Sequence, residues 1–111
     1  VSSSIMTTSS DDNTAMLAMQ QHAVEASKLL KALASDKRLL ILCQLTLGEF
    51  SVGEMVELLG MGQSSLSQHL AVLRNEELVQ TRREAQTIYY RLNDGPIKPL
   101  MQTLYEIYCA E

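Results

Sequence analysis

The chain of 111 residues is 46% apolar and 20% charged, the balance of one soluble globular domain with no room for a second. No apolar run is longer than the five residues of Leu39 to Cys43, too short to span a bilayer, and no charged-then-apolar leader precedes a small-residue cleavage site, so a cytoplasmic location without a membrane partner is expected. The net charge of −4 weighs against nucleic acid until the charges are placed: residues 61–92 hold Arg74, Arg82, Arg83 and Arg91 and sum to +1, while all the rest sum to −5. Arginine suits phosphate forks and base edges, so the overall acidity predicts modest non-specific DNA binding rather than none.

Residues 1–13 are aperiodic and rich in Ser, Thr and Asp, which predicts a disordered tail; the part before Met6 reads as an added remnant, and the domain is expected over 14–111. From Thr14 to Ala34, Met16, Met19, Ala23, Ala26, Leu30 and Leu33 recur at helical spacing. Ser35 can cap a second helix, opening Asp36-Lys37-Arg38, that is apolar nearly all round from Leu39 to Leu47. It is expected to be the central, most buried element and to stop at Gly48. Ser51-Val52-Gly53-Glu54 matches the capping box of a short helix that Gly60 ends. Gln63-Ser64-Ser65 opens the next helix, with Leu66, Leu70 and Leu73 on one face. Two short helices joined through a glycine-containing turn, the second opening with polar side chains, form the helix-turn-helix pattern.

Leu78 to Arg83 and Thr87 to Leu92 alternate with period two and predict a half-buried hairpin. Its tip carries Ala85-Gln86 where glycine would ease a tight turn, and Glu76-Glu77 closes the preceding helix without a residue that favours a left-handed cap. Asn93-Asp94-Gly95-Pro96 then starts a last helix striped by Ile97, Leu100, Met101, Leu104 and Tyr108. The order predicts a mainly α fold with a β-hairpin wing: a winged helix-turn-helix between N- and C-terminal helices. Both terminal stripes need a partner surface, and packing two protomers isologously would bury Met16, Met19, Ala23, Leu100, Leu104 and Tyr108.

On a helical wheel, the inward leucines set Ser64, Ser65 and Gln68 on the opposite side, with Ser67 at its margin and His69 at the edge of the apolar side. Short hydroxyls and an amide at a helix N-terminus suit a major groove, where backbone N–H groups meet phosphate and Gln pairs with adenine. Alone, that face reads equally as solvated surface. Beside a capped helix and an Arg-bearing hairpin it points to double-stranded DNA, with Gln63, Ser64, Ser65, Ser67, Gln68, His69, Arg74, Arg82, Arg83 and Gln86 as contacts. A winged helix used only for protein interaction is the rival that the acidity favours. With two histidines, His22 and His69, no glycine-rich phosphate loop and no nucleophile elbow, no catalytic constellation assembles, and no enzyme is expected.

Cys43 and Cys109, 66 residues apart, form no CxxC pair and cannot complete a zinc site, so neither metal nor cofactor is expected. A free cysteine in so apolar a helix ordinarily serves as packing, and the residues alone leave packing and redox use both open.

The stretch Leu66-Ser67-Gln68-His69-Leu70 with Leu73-Arg74, followed by Tyr89-Tyr90-Arg91-Leu92, resembles the bacterial ArsR-type repressors, over residues 23–109. Leu40-Ile41-Leu42-Cys43 together with Tyr108-Cys109 is similar to the family's reactive-sulfur-sensing branch, the BigR/SqrR/HlyU-like regulators. The resemblance implies a homodimeric repressor on a pseudo-palindromic operator, with reactive sulfur species as inducer. It also implies that Cys43 and Cys109 form a redox switch by joining through a disulfide or polysulfide bridge. Metal sites of other relatives have no counterpart, since residues 51–59 hold no cysteines and the last helix has Glu106, with Asp94 before it, but no histidine. A metal-responsive sensor, a regulator without ligand and an anti-repressor stand as alternatives.

Overall fold

The computed structural model describes residues 10–109. In chain order these form α1 (Ser10–Leu33), α2 (Asp36–Thr46), β1 (Phe50–Ser51), α3 (Val52–Leu59), α4 (Gln63–Asn75), β2 (Val79–Glu84), β3 (Thr87–Leu92) and α5 (Ile97–Tyr108). They divide into two compact units, one up to Lys31 and one from Ala32 onward, and the winged helix-turn-helix lies in the second. Among the described residues no helix is long and apolar enough to cross a membrane.

In the first unit, α1 begins at Ser10, four residues before the apolar stripe predicts. A stripe marks the face that needs burial, not the point where backbone hydrogen bonding starts, so polar residues extend the helix without a pattern to reveal them. This corrects the predicted tail over residues 10–13; residues 1–9 lie outside the described residues.

The core of the second unit is made by Ile41, Leu42 and Leu45 of α2, Met55 of α3, Leu66, Leu70 and Leu73 of α4, Val79 and Leu92 at the hairpin base, and Ile97 and Met101 of α5. Full burial of such side chains stabilises by about 1.5–3 kcal/mol each. Ser35 caps α2, its hydroxyl accepting from the Arg38 N–H at 3.3 Å, while Arg38 Nε donates to the Ala32 carbonyl at 2.8 Å. The all-round burial expected of α2 is not observed: Leu40 and Leu47 are 51% and 60% exposed, and α4 buries as many leucines or isoleucines. Helix geometry allows one face to meet the neighbouring elements, so the surplus apolar residues of α2 emerge at the surface.

Both capping-box hydrogen bonds form at α3, Ser51 Oγ accepting from the Glu54 N–H at 3.1 Å and Glu54 accepting from the Ser51 N–H at 2.8 Å. Ser51 also ends β1, whose pairing of Phe50 with Tyr90 and Ser51 with Tyr89 enlarges the hairpin to a three-stranded antiparallel sheet of order β1-β3-β2. A two-residue strand is too short to display a period. Gly60, at φ 66°, then closes α3 as expected.

Glu76-Glu77 offers no residue that favours a left-handed cap, yet α4 ends in one, because Glu77 itself takes φ 62°. Its N–H donates to the Arg74 carbonyl at 3.0 Å and the Leu78 N–H to the Leu73 carbonyl at 2.9 Å, the paired bonds of a Schellman motif. Leu73 and Leu78 are both buried, supplying the apolar closure that accompanies this motif, and Asn93 Nδ2 donates to the Glu77 carbonyl at 2.7 Å. Three polar bonds and a buried leucine pair therefore hold a glutamate where glycine is usual. The hairpin likewise closes without glycine: Ala85 takes φ 57° in a two-residue tip, with register fixed by pairs from Val79↔Leu92 to Glu84↔Thr87.

Left-handed backbone costs an L-residue about 1–2 kcal/mol, part of which glycine's greater unfolded-state entropy cancels. Glu77→Gly is therefore expected to raise stability by about 0.5–1 kcal/mol, read as a higher urea midpoint at unchanged slope; an unchanged or lower midpoint contradicts the strain.

Candidate nucleic-acid interface and thiol pair

Burial of Leu66, Leu70 and Leu73 turns the other side of α4 to solvent. Gln63, Ser64, Ser67, Gln68 and Ala71 line one shallow groove there, which continues along Ser67, Ala71, Arg74, Asn75, Glu77 and Tyr90. Ser67 is central to this face rather than marginal, and Ser65 is half-buried rather than central. His69 is half-buried, at the edge of the apolar side. Sequence reasoning misses Ala71, and takes in Tyr90 only within Tyr89-Tyr90-Arg91-Leu92, not as a contact. Ala71 presents only a methyl group to the groove, and Tyr90 falls in phase with Ile88 and buried Leu92, which hides its half-exposed edge.

The sheet separates the two wing arginines. Directly paired residues share a face, so Arg82 lies with Tyr89, Glu84 and Thr87, whereas Arg83 lies with Ile88 on the side of Thr81 and Tyr90. That second side meets the α4 groove through Tyr90. Arg83 and Gln86 are exposed. Arg82 is engaged within the chain: its Nε donates to Glu49 at 2.8 Å, its Nη1 to Glu84 at 3.0 Å, and its guanidinium lies 4.6 Å from the Tyr89 ring centroid.

Cys43, on α2, is half-buried, and Cys109, the C-cap of α5, is exposed; both are free thiols. Burial pushes the Cys43 thiol above the ordinary range, and a charge on Cys109 raises it further. The fold thus places two free thiols, 66 residues apart in sequence, on α2 and at the end of α5, two helices that pack together. Among the described residues no three His, Cys, Asp or Glu side chains gather as a metal site, and His22 instead meets Glu25 at 3.1 Å on the exposed surface of α1.

A helix-turn-helix whose second helix exposes a polar groove, followed by an arginine-bearing wing, defines a DNA-binding transcriptional regulator. Residues 35–81 match the family described as bacterial regulatory protein, arsR family. The chain is 47% identical over 91 residues to the transcriptional activator HlyU of Vibrio cholerae, covering 82% of this chain and 84% of that protein. The reduced HlyU structure from that organism superposes with a TM-score of 0.79, over 83% of this chain and 97% of that one. The transcriptional repressor BigR of Xylella fastidiosa is 44% identical, with a TM-score of 0.78 over 85% of this chain and 93% of that one. A homodimeric winged helix-turn-helix DNA-binding domain from Mycobacterium bovis is 30% identical, with a TM-score of 0.70 over 91% and 88% of the two chains. The protein belongs to the ArsR family of bacterial transcriptional regulators.

Exposure and the upward shift at Cys43 set the order of thiol reactivity, since the thiolate is the nucleophile. Iodoacetamide is expected to label Cys109 before Cys43 in peptide mass spectrometry at neutral pH. Because the Cys43 thiol holds its proton longer, its labelling rate keeps rising at alkaline pH beyond the range in which an ordinary thiol levels off. Faster labelling of Cys43 would contradict this order.

Proposed function

We propose that this chain is a cytoplasmic, homodimeric repressor whose grip on a pseudo-palindromic operator loosens when reactive sulfur species join Cys43 to Cys109. The observation that carries the reading is the placement of two free thiols on helices that pack together, an exposed one at the end of α5 and a half-buried one on α2. The Cys109 thiolate attacks a polysulfide, breaking its S–S bond and expelling the shorter sulfide, which leaves a persulfide on Cys109. The Cys43 thiolate attacks the inner sulfur of that persulfide and expels hydrosulfide, so the two cysteines lose two electrons to the polysulfide and end as a disulfide.

In this reading α4 enters the major groove. Gln68 meets a base edge, Gln63, Ser64 and Ser67 lie along the phosphates, Arg74 and Arg83 supply charge, and Ser65, His69 and Gln86 sit at the margins. The dimer is supported by the exposure of Met16, Met19, Ala23 and Tyr108, with Leu100 and Leu104 half-buried on α5, and by a relative described as homodimeric. Because α5 builds that interface, a bridge at its end changes the spacing of the two recognition helices, and both half-sites must be met at once. The name of the V. cholerae relative allows the same operator contact to activate, wherever the bound dimer displaces another repressor.

Fluorescence anisotropy on operator DNA tests the switch. Reduced protein is expected to bind tightly and polysulfide-treated protein about 5–150-fold more weakly, as a coupling of about 1–3 kcal/mol dictates, with thiol reductant restoring binding. Cys43→Ser and Cys109→Ser should each bind and ignore polysulfide; a persisting response in Cys109→Ser overturns the reading. On the recognition face, Gln68→Ala is expected to cost about 1–3 kcal/mol on operator and little on random DNA, and unchanged operator affinity would remove Gln68 from the interface.

A further inference from the structure

We infer that Arg82 acts on DNA indirectly, as a positioning residue that clamps the wing to the front of the helix-turn-helix, so that Arg83 alone of the pair is presented to phosphate. The inference rests on the reading of α4 and the wing as the DNA-binding surface.

Three observations converge. Arg82 and Arg83 occupy opposite faces of β2, and it is the face of Arg83 that adjoins the α4 groove, through Tyr90. The half-exposed Arg82 fork has two donors engaged within the chain, Nε by Glu49 at 2.8 Å and Nη1 by Glu84 at 3.0 Å. Its planar group also lies 4.6 Å from the centroid of Tyr89, on the central strand. Glu49 immediately precedes β1, and β1 runs directly into the capped N-terminus of α3. The Glu49–Arg82 pair therefore spans the sheet and ties the outer hairpin strand to the segment that opens the helix-turn-helix. An isolated exposed pair would contribute little, but a guanidinium shared by two carboxylates and an aromatic face is a network with defined geometry. The charge of Arg82 is spent on that network, whereas no carboxylate among the described residues pairs with Arg83.

The two roles predict opposite signs. If Arg82 bound phosphate, freeing it by Glu49→Ala would tighten DNA binding, as would the loss of a negative charge. As a clamp, Glu49→Ala instead weakens operator binding, by about three- to tenfold for a network of this size. It also speeds hydrogen exchange of the Gln86 and Thr87 amides. Arg82→Ala weakens binding similarly while leaving the slope of log affinity against log salt unchanged, whereas Arg83→Ala flattens that slope by about one contact's worth. Arg82→Lys, which keeps the charge but loses the fork, behaves as Arg82→Ala. Titrations of the reduced protein on one operator, with circular dichroism to confirm folding, read all four variants. Tighter or unchanged binding by Glu49→Ala, a flattened slope for Arg82→Ala, or full function in Arg82→Lys would overturn the clamp. Absence of salt-dependent binding by the unaltered protein would instead sink the DNA-surface reading.

Discussion

Leu66, Leu70 and Leu73 are almost completely withdrawn from water, and the rest of the helix-turn-helix and its wing is arranged by that burial. Once this stripe is turned inward, helical geometry leaves Ser64, Gln68 and Ala71 no other side to occupy than the outside. The stripe also decides how the chain leaves α4. Leu78 has to fold back beside Leu73 to complete the seal, and the turn that achieves this puts Glu77 in the left-handed region. Strain at one residue is offset by closure of the core and by the direction it gives the wing.

The same constraint explains what was legible in the sequence. The leucine stripe, the Ser51–Glu54 box, the Gly60 stop and the alternation in Thr87 to Leu92 are signals carried by residues close together in the chain, and each corresponds to an element in the fold. Ser65 and Ser67 show where such reading stops. Both lie about 100° from Leu66, on opposite flanks of the inward stripe, so a wheel alone does not justify setting Ser65 on the opposite side and Ser67 at its margin. Which flank is covered depends on neighbouring elements, and here Ser65 is the one partly covered.

The pairing of Arg82 with Glu49 was hidden for a related reason. The two are far apart in sequence and meet only because β1 joins the sheet, and β1 is too short to announce itself. The proximity of the two thiols is of the same kind. Composition supplies a pair of cysteines and a family resemblance implies a joint role, but only the return of α5 to α2 puts the two thiols on helices that touch. Chemistry that depends on residues distant in sequence becomes visible when topology is known.

Asn93 makes the hairpin asymmetric in a way that bears on how such a protein diversifies. Its N–H donates to the Leu78 carbonyl at 2.9 Å, its side chain accepts from Gln80 and donates to the Glu77 carbonyl, and beside it Val79 and Leu92 are buried. The base of the wing is locked, while Ala85 and Gln86 at the tip are exposed. Residues added or lost at the tip change the reach of the wing without reopening the junction where the hairpin hands the chain to α5. Evolution is thus free to lengthen, shorten or recharge that finger while the scaffold that aims it stays untouched.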